Sequence, residues 1–368
     1  MNKQYALILK TGEAEIKALQ NTSVSIREHL FPIIELTRGR KLPTKKGQTP
    51  PDEQYPFNSR LEKIKTIFAN QVVGIDITSD ENLMSKQIND LYNPANGYQN
   101  WIDFLLELKS ENIFSEIIPS IVINGEDDNF EYNLLEQVRS LKKNFSFLIY
   151  RNDIVDENCY SDFDLLKEEL NDINLLLIID CAYVVQAAQH TYADKAIARI
   201  NNLRKILPES TKYIISSTSF PNNINEIGND SNDSFRVCEI DIYNKLISQL
   251  GSHNLIYSDY GSINPIRNDT IIMARGWIPR IDTPLFYEIY YYRKRRPKGI
   301  TQYSSTYSEV ARLVISDKRF PKHLSTNWGI NQILNCANGD APASNPAFWI
   351  SVRMCIHIEQ QVKRIYSI

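Results

Sequence analysis

Cysteine is scarce and unpatterned in this chain. The five residues Cys159, Cys181, Cys238, Cys336 and Cys355 include no CxxC pair and no Cys/His ligand spacing, which excludes a disulfide framework and structural zinc and predicts reduced thiols in a cytoplasmic protein. A charge excess of one sign is also missing. Lys and Arg total 41 against 44 Asp and Glu, a net charge of -3, so a wholly basic nucleic-acid-coating protein is excluded and any anion site must be local. No stretch approaches the ~18 apolar residues of a membrane-spanning helix, and the apolar run at 5–9 stops at Lys10, short of a signal-peptide core. A soluble protein without a membrane partner is therefore expected.

What remains is an ordinary globular composition: 368 residues, 42% hydrophobic and 23% charged. That balance excludes disorder, collagen and coiled coil, and the length is enough to bury a core without staples. Eight short β-rich runs recur: YALILK (5–10), LFPIIEL (30–36), VVGIDIT (72–78), EIIPSIVIN (116–124), FSFLIYR (145–151), NLLLIID (174–180), KYIISSTSF (212–220) and NLIYSDYG (254–261). Most are continuously apolar, as parallel strands covered on both faces are. Amphipathic stretches at 13–20, 59–70, 98–109, 129–142, 162–170, 193–207 and 240–250 alternate with them. The pattern predicts an α/β (β/α)₈ TIM-like barrel over 1–261. An open doubly wound sheet is the alternative, but no GxGxxG follows the first strand. Residues 262–319 read as a proline-rich, basic and aromatic insertion followed by the eighth helix at 306–316, and 320–368 as a helical C-terminal appendage.

In such a barrel the ligand site forms at the C-terminal strand ends. Those positions carry Lys10, Glu35, Asp76, Asn124, Arg151, Asp180, Ser217 with Thr218, and Asp259 with Tyr260. Glu35, Asp76 and Asp180 directly follow isoleucines, where an ionised group needs a partner or a shifted pKa. Two outcomes are open. Lys10 and Arg151 could tie the acids into an ion network that does no chemistry; or Lys10, Glu35, Asp76, Arg151, Asp180, Asp259 and Tyr260 could form a catalytic set, with Mg²⁺ as a possible cofactor for the hard oxygen ligands. None of the five histidines falls at a strand end, and no GxSxG elbow is present, so zinc-hydrolase and serine-nucleophile chemistry are excluded.

Charge is uneven along the chain. Between Arg275 and Lys298, seven basic residues (Arg275, Arg280, Arg293, Lys294, Arg295, Arg296, Lys298) face only Asp282 and Glu288, leaving -8 for the rest. Tyr290, Tyr291 and Tyr292 interleave with them. A second basic loop, Arg38, Arg40, Lys41, Lys45 and Lys46, follows the second strand. Both segments leave the barrel at its mouth, so Arg38, Arg40, Arg293, Arg295, Arg296 and Tyr291 are candidate contacts for a phosphate-bearing ligand, a nucleotide or nucleic acid. A solvated basic hairpin or a protein-docking surface is the other outcome. In the tail, Arg353, His357, Gln360 and Arg364 share a helix face opposite Val352, Ile356 and Ile358, and Trp328, Phe348 and Trp349 are expected to pack the tail onto the barrel.

The order of LKTGEAEIKAL (with Lys10), PIIEL (Glu35), GIDIT (Asp76), IYR (Arg151), IID (Asp180), SFP, SDYG (Asp259, Tyr260), NWG, CANG and NPAFW resembles the "beta protein" family of phages, prophage-like elements and anti-phage loci. That resemblance implies a role in conflict between phage and host, alongside a neighbouring toxic or defence effector protein. It brings no catalytic residues with it.

Overall fold

The structure, a computed structural model, describes residues 3–44, 47, 49–222, 231–266 and 276–368. Lys45, Lys46 and Arg275 lie outside the described residues. The chain runs β1(Tyr5–Lys10), α1(Glu13–Asn21), α2(Val24–Arg27), β2(Leu30–Leu36), α3(Asn58–Ile67), β3(Val72–Ile77), α4(Lys86–Leu91), α5(Ala95–Ser110), β4(Glu116–Pro119), α6(Phe130–Lys142), β5(Phe147–Asp153), α7(Cys159–Leu170), β6(Asn174–Tyr183), α8(Gln189–Leu203) and β7(Lys212–Thr218). It continues through β8(Asn232–Arg236), α9(Cys238–Leu250), β9(Leu255–Asp259), β10(Arg280–Pro284), β11(Glu288–Arg293), α10(Ser304–Ser316), α11(Trp328–Ala337) and α12(Pro346–Tyr366).

Eight strands pair in parallel in the order β4-β3-β2-β1-β9-β7-β6-β5. A bridge from Ser120 to Ile149 joins the two ends of that order, so the sheet closes on itself as the expected TIM-like barrel. The apolar runs explain why. Alternate residues from every strand point inward, and Ala6, Ile8, Phe31, Ile33, Ile118, Ile149, Leu176, Ile178, Ile214 and Ile256 fill the lumen, while their neighbours pack outward beneath the helices. Gly74 marks the tightest point of that lumen. A Cβ there would lie 2.8 Å from Ile149 Cδ1 and 3.1 Å from Ile33 Cγ1, so the filling leaves room for a hydrogen only.

The fourth strand is shorter than its apolar run. Backbone pairing continues through Ser120 N to Ile75 O and Ile121 N to Ile149 O, and at Val122 it passes to a side chain: the Gln137 carboxamide accepts from Val122 N at 2.7 Å and donates to Val122 O at 2.9 Å. Asn124 therefore lies past the strand, where its side chain accepts from Glu126 N, and it shares no hydrogen bond with the rim acids among the described residues.

A second, three-stranded antiparallel sheet runs β10-β11-β8. Its two faces differ. Ile281, Tyr290 and Tyr292 pack against α10 and α11, whereas Arg280, Asp282, Tyr291 and Arg293 occupy the alternate face, toward α12 and Phe220. The helix expected at 306–316 is present as α10, but its Tyr307, Val310, Ala311 and Val314 join this second core. The helix that packs on α1 beside the barrel is α12. Its Met354, Cys355, Ile358 and Val362 enter the barrel core, and its Phe348, Trp349, Val352 and Ile356 enter the second one. The tail aromatics accordingly anchor α12 to α10: Trp349 stacks on Tyr307 at 5.0 Å. No helix among the described residues is long and apolar enough to cross a membrane.

Candidate functional site

At the C-terminal rim of the barrel, period-2 alternation carries the inward face from isoleucine to charge. Lys10, Glu35 and Asp76 sit on neighbouring strands in direct register. Arg151 and Asp180 join them from β5 and β6, and Tyr260 from just past β9. Arg151 is the hub. Its Nη1 donates to Glu35 Oε2 at 2.9 Å and to Asp76 Oδ2 at 3.1 Å; its Nε and Nη2 donate to Asp180 Oδ2 at 2.9 and 2.8 Å. Nη2 also lies 3.0 Å from the Tyr260 hydroxyl, which donates to Asp180 Oδ2 at 2.5 Å. Lys10 pairs with Glu35 Oε1. The remaining oxygens are held by backbone: Asp76 Oδ1 accepts from Ile77 N, and Asp180 Oδ1 from Ala182 N.

All six carboxylate oxygens thus have a protein donor. The last of these depends on a strained turn, since Ala182 has φ +49° beside the irregularity that interrupts the β6–β7 ladder after Asp180. A β-bulge of this kind re-aims the side chain next to it.

The three acids are buried while the Arg151 side chain keeps 23% exposure and Lys10 10%. Protonation follows from that geometry. Burial works to raise the Glu35 carboxyl, but Lys10 and Arg151 outweigh it and hold the group down at about 2. For Asp76 burial wins over Arg151, with Glu35 adding repulsion, and its carboxyl is raised. Burial opposes the Arg151 charge, yet Tyr260, Asp180, Glu35 and Asp76 together hold the guanidinium well above its ordinary value. Burial drives the Tyr260 phenol far up, so it stays a proton donor.

Asp259 does not join this group. It is one residue from Tyr260 and faces the other side of the barrel wall, where four donors saturate it: Tyr5 OH and Gly261 N on Oδ1, both at 2.8 Å, and Tyr257 OH at 3.0 Å and His357 Nε2 at 2.8 Å on Oδ2. Glu239, at the first turn of α9, completes a buried trio. One ligand atom from each of Glu239, Asp259 and His357 lies within 4.8 Å of the others. This is the set whose donor types suit a metal ion, although an ion there would displace hydrogen bonds that already satisfy Asp259. Burial and the Asp259 charge push the Glu239 carboxyl up to about 7. Strand parity carried the signal for Asp259: Tyr5, Leu7, Tyr257 and Asp259 face outward as Ala6, Ile8, Ile256 and Tyr260 face inward. Glu239 had no signal beyond its place in the first turn of a helix.

The basic candidates divide. Arg40 and Arg295 are exposed. Arg38 lies over the Tyr55 ring at 5.2 Å, and Arg296 over Tyr303 at 4.3 Å. Lys294 pairs with Glu309. Arg293 is buried, and so is Tyr291, whose ring lies beneath Arg280 at 3.8 Å and is no open platform for a base. The tail face carrying Arg353, His357 and Gln360 is buried as well as the face opposite. Arg353 stacks on Phe220 at 3.5 Å and binds Asp282 Oδ2 at 3.1 Å.

Comparison with known proteins gives a consistent picture. Protein beta of Enterobacteria phage P4 is 28% identical over 366 residues, covering 98% of this chain and 94% of its own. A family 18 chitinase from Crocus vernus aligns in structure over 70% of this chain and 93% of its own, at 12% identity and a TM-score of 0.39, a likeness too slight to bear on function. The model of the Beta protein family matches residues 5–363, nearly the whole of both cores and of the rim just described, and this chain belongs to that family.

Proposed function

We propose that the protein is a binding module of phage–host conflict that recognises a phosphate-bearing ligand, a nucleotide or nucleic acid, at the basic side of its barrel mouth. The observation that carries this reading is the full engagement of the rim carboxylates. With every oxygen of Glu35, Asp76 and Asp180 held by a protein donor, the acids form a rigid floor. A Mg²⁺ ion would have to displace Arg151 to reach them. With Arg151 spent on the acids, the cations of the candidate set that remain exposed to a ligand are Arg40 and Arg295. The phage origin of the P4 relative supports the biological setting, and a neighbouring effector is the partner that this setting suggests.

Asp76 favours a second, enzymatic reading. Its carboxyl is raised while that of Glu35 beside it is lowered, the divergence by which paired acids divide proton donor from acceptor.

Binding of short DNA, RNA and nucleotides, measured against salt, tests the first reading. Affinity should fall steeply with salt, and Arg40→Ser with Arg295→Ser should flatten the log–log slope by up to ~0.9 for each duplex phosphate that these side chains neutralise. Absence of any binding at low salt would overturn it. Turnover that Asp76→Asn abolishes without loss of melting temperature would establish the second instead.

A further inference from the structure

Where the second sheet meets α12, the charge balance is the reverse of that at the rim. Arg280 and Arg353 are 6% and 4% exposed, and they share a single buried carboxylate, Asp282. Arg280 reaches Asp282 Oδ1 through Nε at 2.6 Å and Nη2 at 2.5 Å; Arg353 Nη1 reaches Oδ2 at 3.1 Å. Among the described residues, Arg280 Nη1 and Arg353 Nε, both buried, have no hydrogen-bond acceptor, and Arg280 Nη2 has only its ion-pair contact with Asp282. Among the described residues, the hydrogen bonds of these two guanidinium ions supply one carboxylate between them and leave donors unmet. A desolvated cation of this kind is costly unless a counter-charge meets it.

The two forks are also held in place. Arg280 lies on the Tyr291 ring at 3.8 Å and Arg353 on the Phe220 ring at 3.5 Å, so each plane is fixed by an aromatic face on one side and by Asp282 at its edge. Phe220 follows the C-terminal end of β7 by two residues, and its carbonyl accepts from Asn264, which lies beyond β9. The seam therefore adjoins the mouth. Fixed, planar, donor-rich groups are what bidentate binding of a tetrahedral oxyanion requires.

We propose that Arg280 and Arg353 form an oxyanion subsite that takes a phosphoryl group, with Asp282 as the internal counter-ion that occupies the forks in its absence. This rests on the phosphate-ligand reading above and names the residues that hold the phosphate. Burial, with Arg280 adding to it against Asp282, pulls the Arg353 guanidinium down to about 10, the electrostatic stress that a bound dianion would relieve.

Inorganic phosphate is the probe. The full chain is melted, and titrated calorimetrically, in phosphate and in chloride at matched pH and ionic strength. The wild type should show a saturable rise in melting temperature with phosphate that chloride does not reproduce. Arg353→Met, which keeps an apolar stem on Phe220, should weaken phosphate at least tenfold and melt no lower than wild type in chloride. Asp282→Asn removes the competing carboxylate and should bind phosphate several-fold more tightly, an independent reading should Arg353→Met fail to fold. A wild-type response equal in the two salts, or an Asp282→Asn response no stronger than wild type, overturns the subsite. Nucleotide or nucleic-acid binding that persists under those results leaves the broader reading standing, and its absence removes both.

Discussion

Asp259 and Tyr260 are consecutive in the chain and end on opposite sides of the barrel wall, in two clusters that solve the burial of acids differently. On the inner side, Glu35, Asp76 and Asp180 meet Lys10 and Arg151, and every carboxylate oxygen is paired. Charge is retained by supplying cations. On the outer side, His357 is the basic partner of Asp259, beside Tyr5, Tyr257 and Gly261 N, and Glu239 is held by backbone donors, Ser219 N at 3.1 Å and its own N–H. There charge is shed, because Glu239 keeps its proton to about pH 7. One residue of strand parity separates a network in which cations answer the acids from one in which, against burial, His357 keeps Asp259 low and Glu239 holds its proton.

The largest effect should come from removing the inner hub. Arg151→Met leaves buried Asp76 and Asp180 without a cation, and Glu35 with Lys10 alone, and should cost about 3–5 kcal/mol in urea unfolding at pH 7. The loss should shrink toward acid pH as Asp76 takes up its proton. A loss under ~1 kcal/mol would show that the rim is hydrated and not a structural network.

The two sides should next separate by the sign of their pH dependence. Glu239 has a folded pKa of about 7 against an ordinary 4.5. Its contribution is complete below the unfolded value and is lost as pH rises through 7, by roughly 3 kcal/mol. Glu35 runs the other way. Held at about 2, it contributes fully above 4.5 and loses that contribution as pH falls from there toward 2. Glu239→Gln should level the stability profile between pH 5 and 8, and Glu35→Gln should level the acid limb. Thermal unfolding across pH reads both, and equal slopes in the wild type and Glu239→Gln would erase the comparison.

The smallest effect belongs to the residue that faces inward beside Asp259. Tyr260→Phe removes one hydrogen bond to Asp180, whose Oδ2 keeps Arg151. It should cost about 1–2 kcal/mol by thermal melting. A loss equal to that of Arg151→Met would make Tyr260 the hub.

The barrel was legible because its strands are continuous apolar runs, and a parallel strand writes its burial into its own residues. Five rim groups and Tyr260 followed from strand ends alone. Asp259 was misplaced because a strand end does not specify a face, whereas the alternation of Tyr257 with Ile256 does. The pairing of β11 with β8, from Glu288↔Arg236 to Tyr292↔Asn232, joins residues 52 to 60 positions apart, and no local pattern encodes such a register. The basic aromatic stretch misled for a related reason. Composition merges Arg280, Tyr291 and Arg293 with Lys294 and Arg295, yet one face of β10 and β11 buries the first three, while the last two lie past the end of β11 and are exposed. In the tail, a helix with polar residues on one face reads as half-solvated, but Arg353 and His357 found buried partners.

That helix has a consequence for how the molecule comes apart. An element hydrophobic on one side detaches at the cost of one interface, but α12 contributes Met354 and Ile358 to one core and Val352 and Ile356 to the other. Neither core can shed it without opening the other, so fluctuations that would elsewhere be local are bound to the global transition, and barrel and second sheet behave as one cooperative unit.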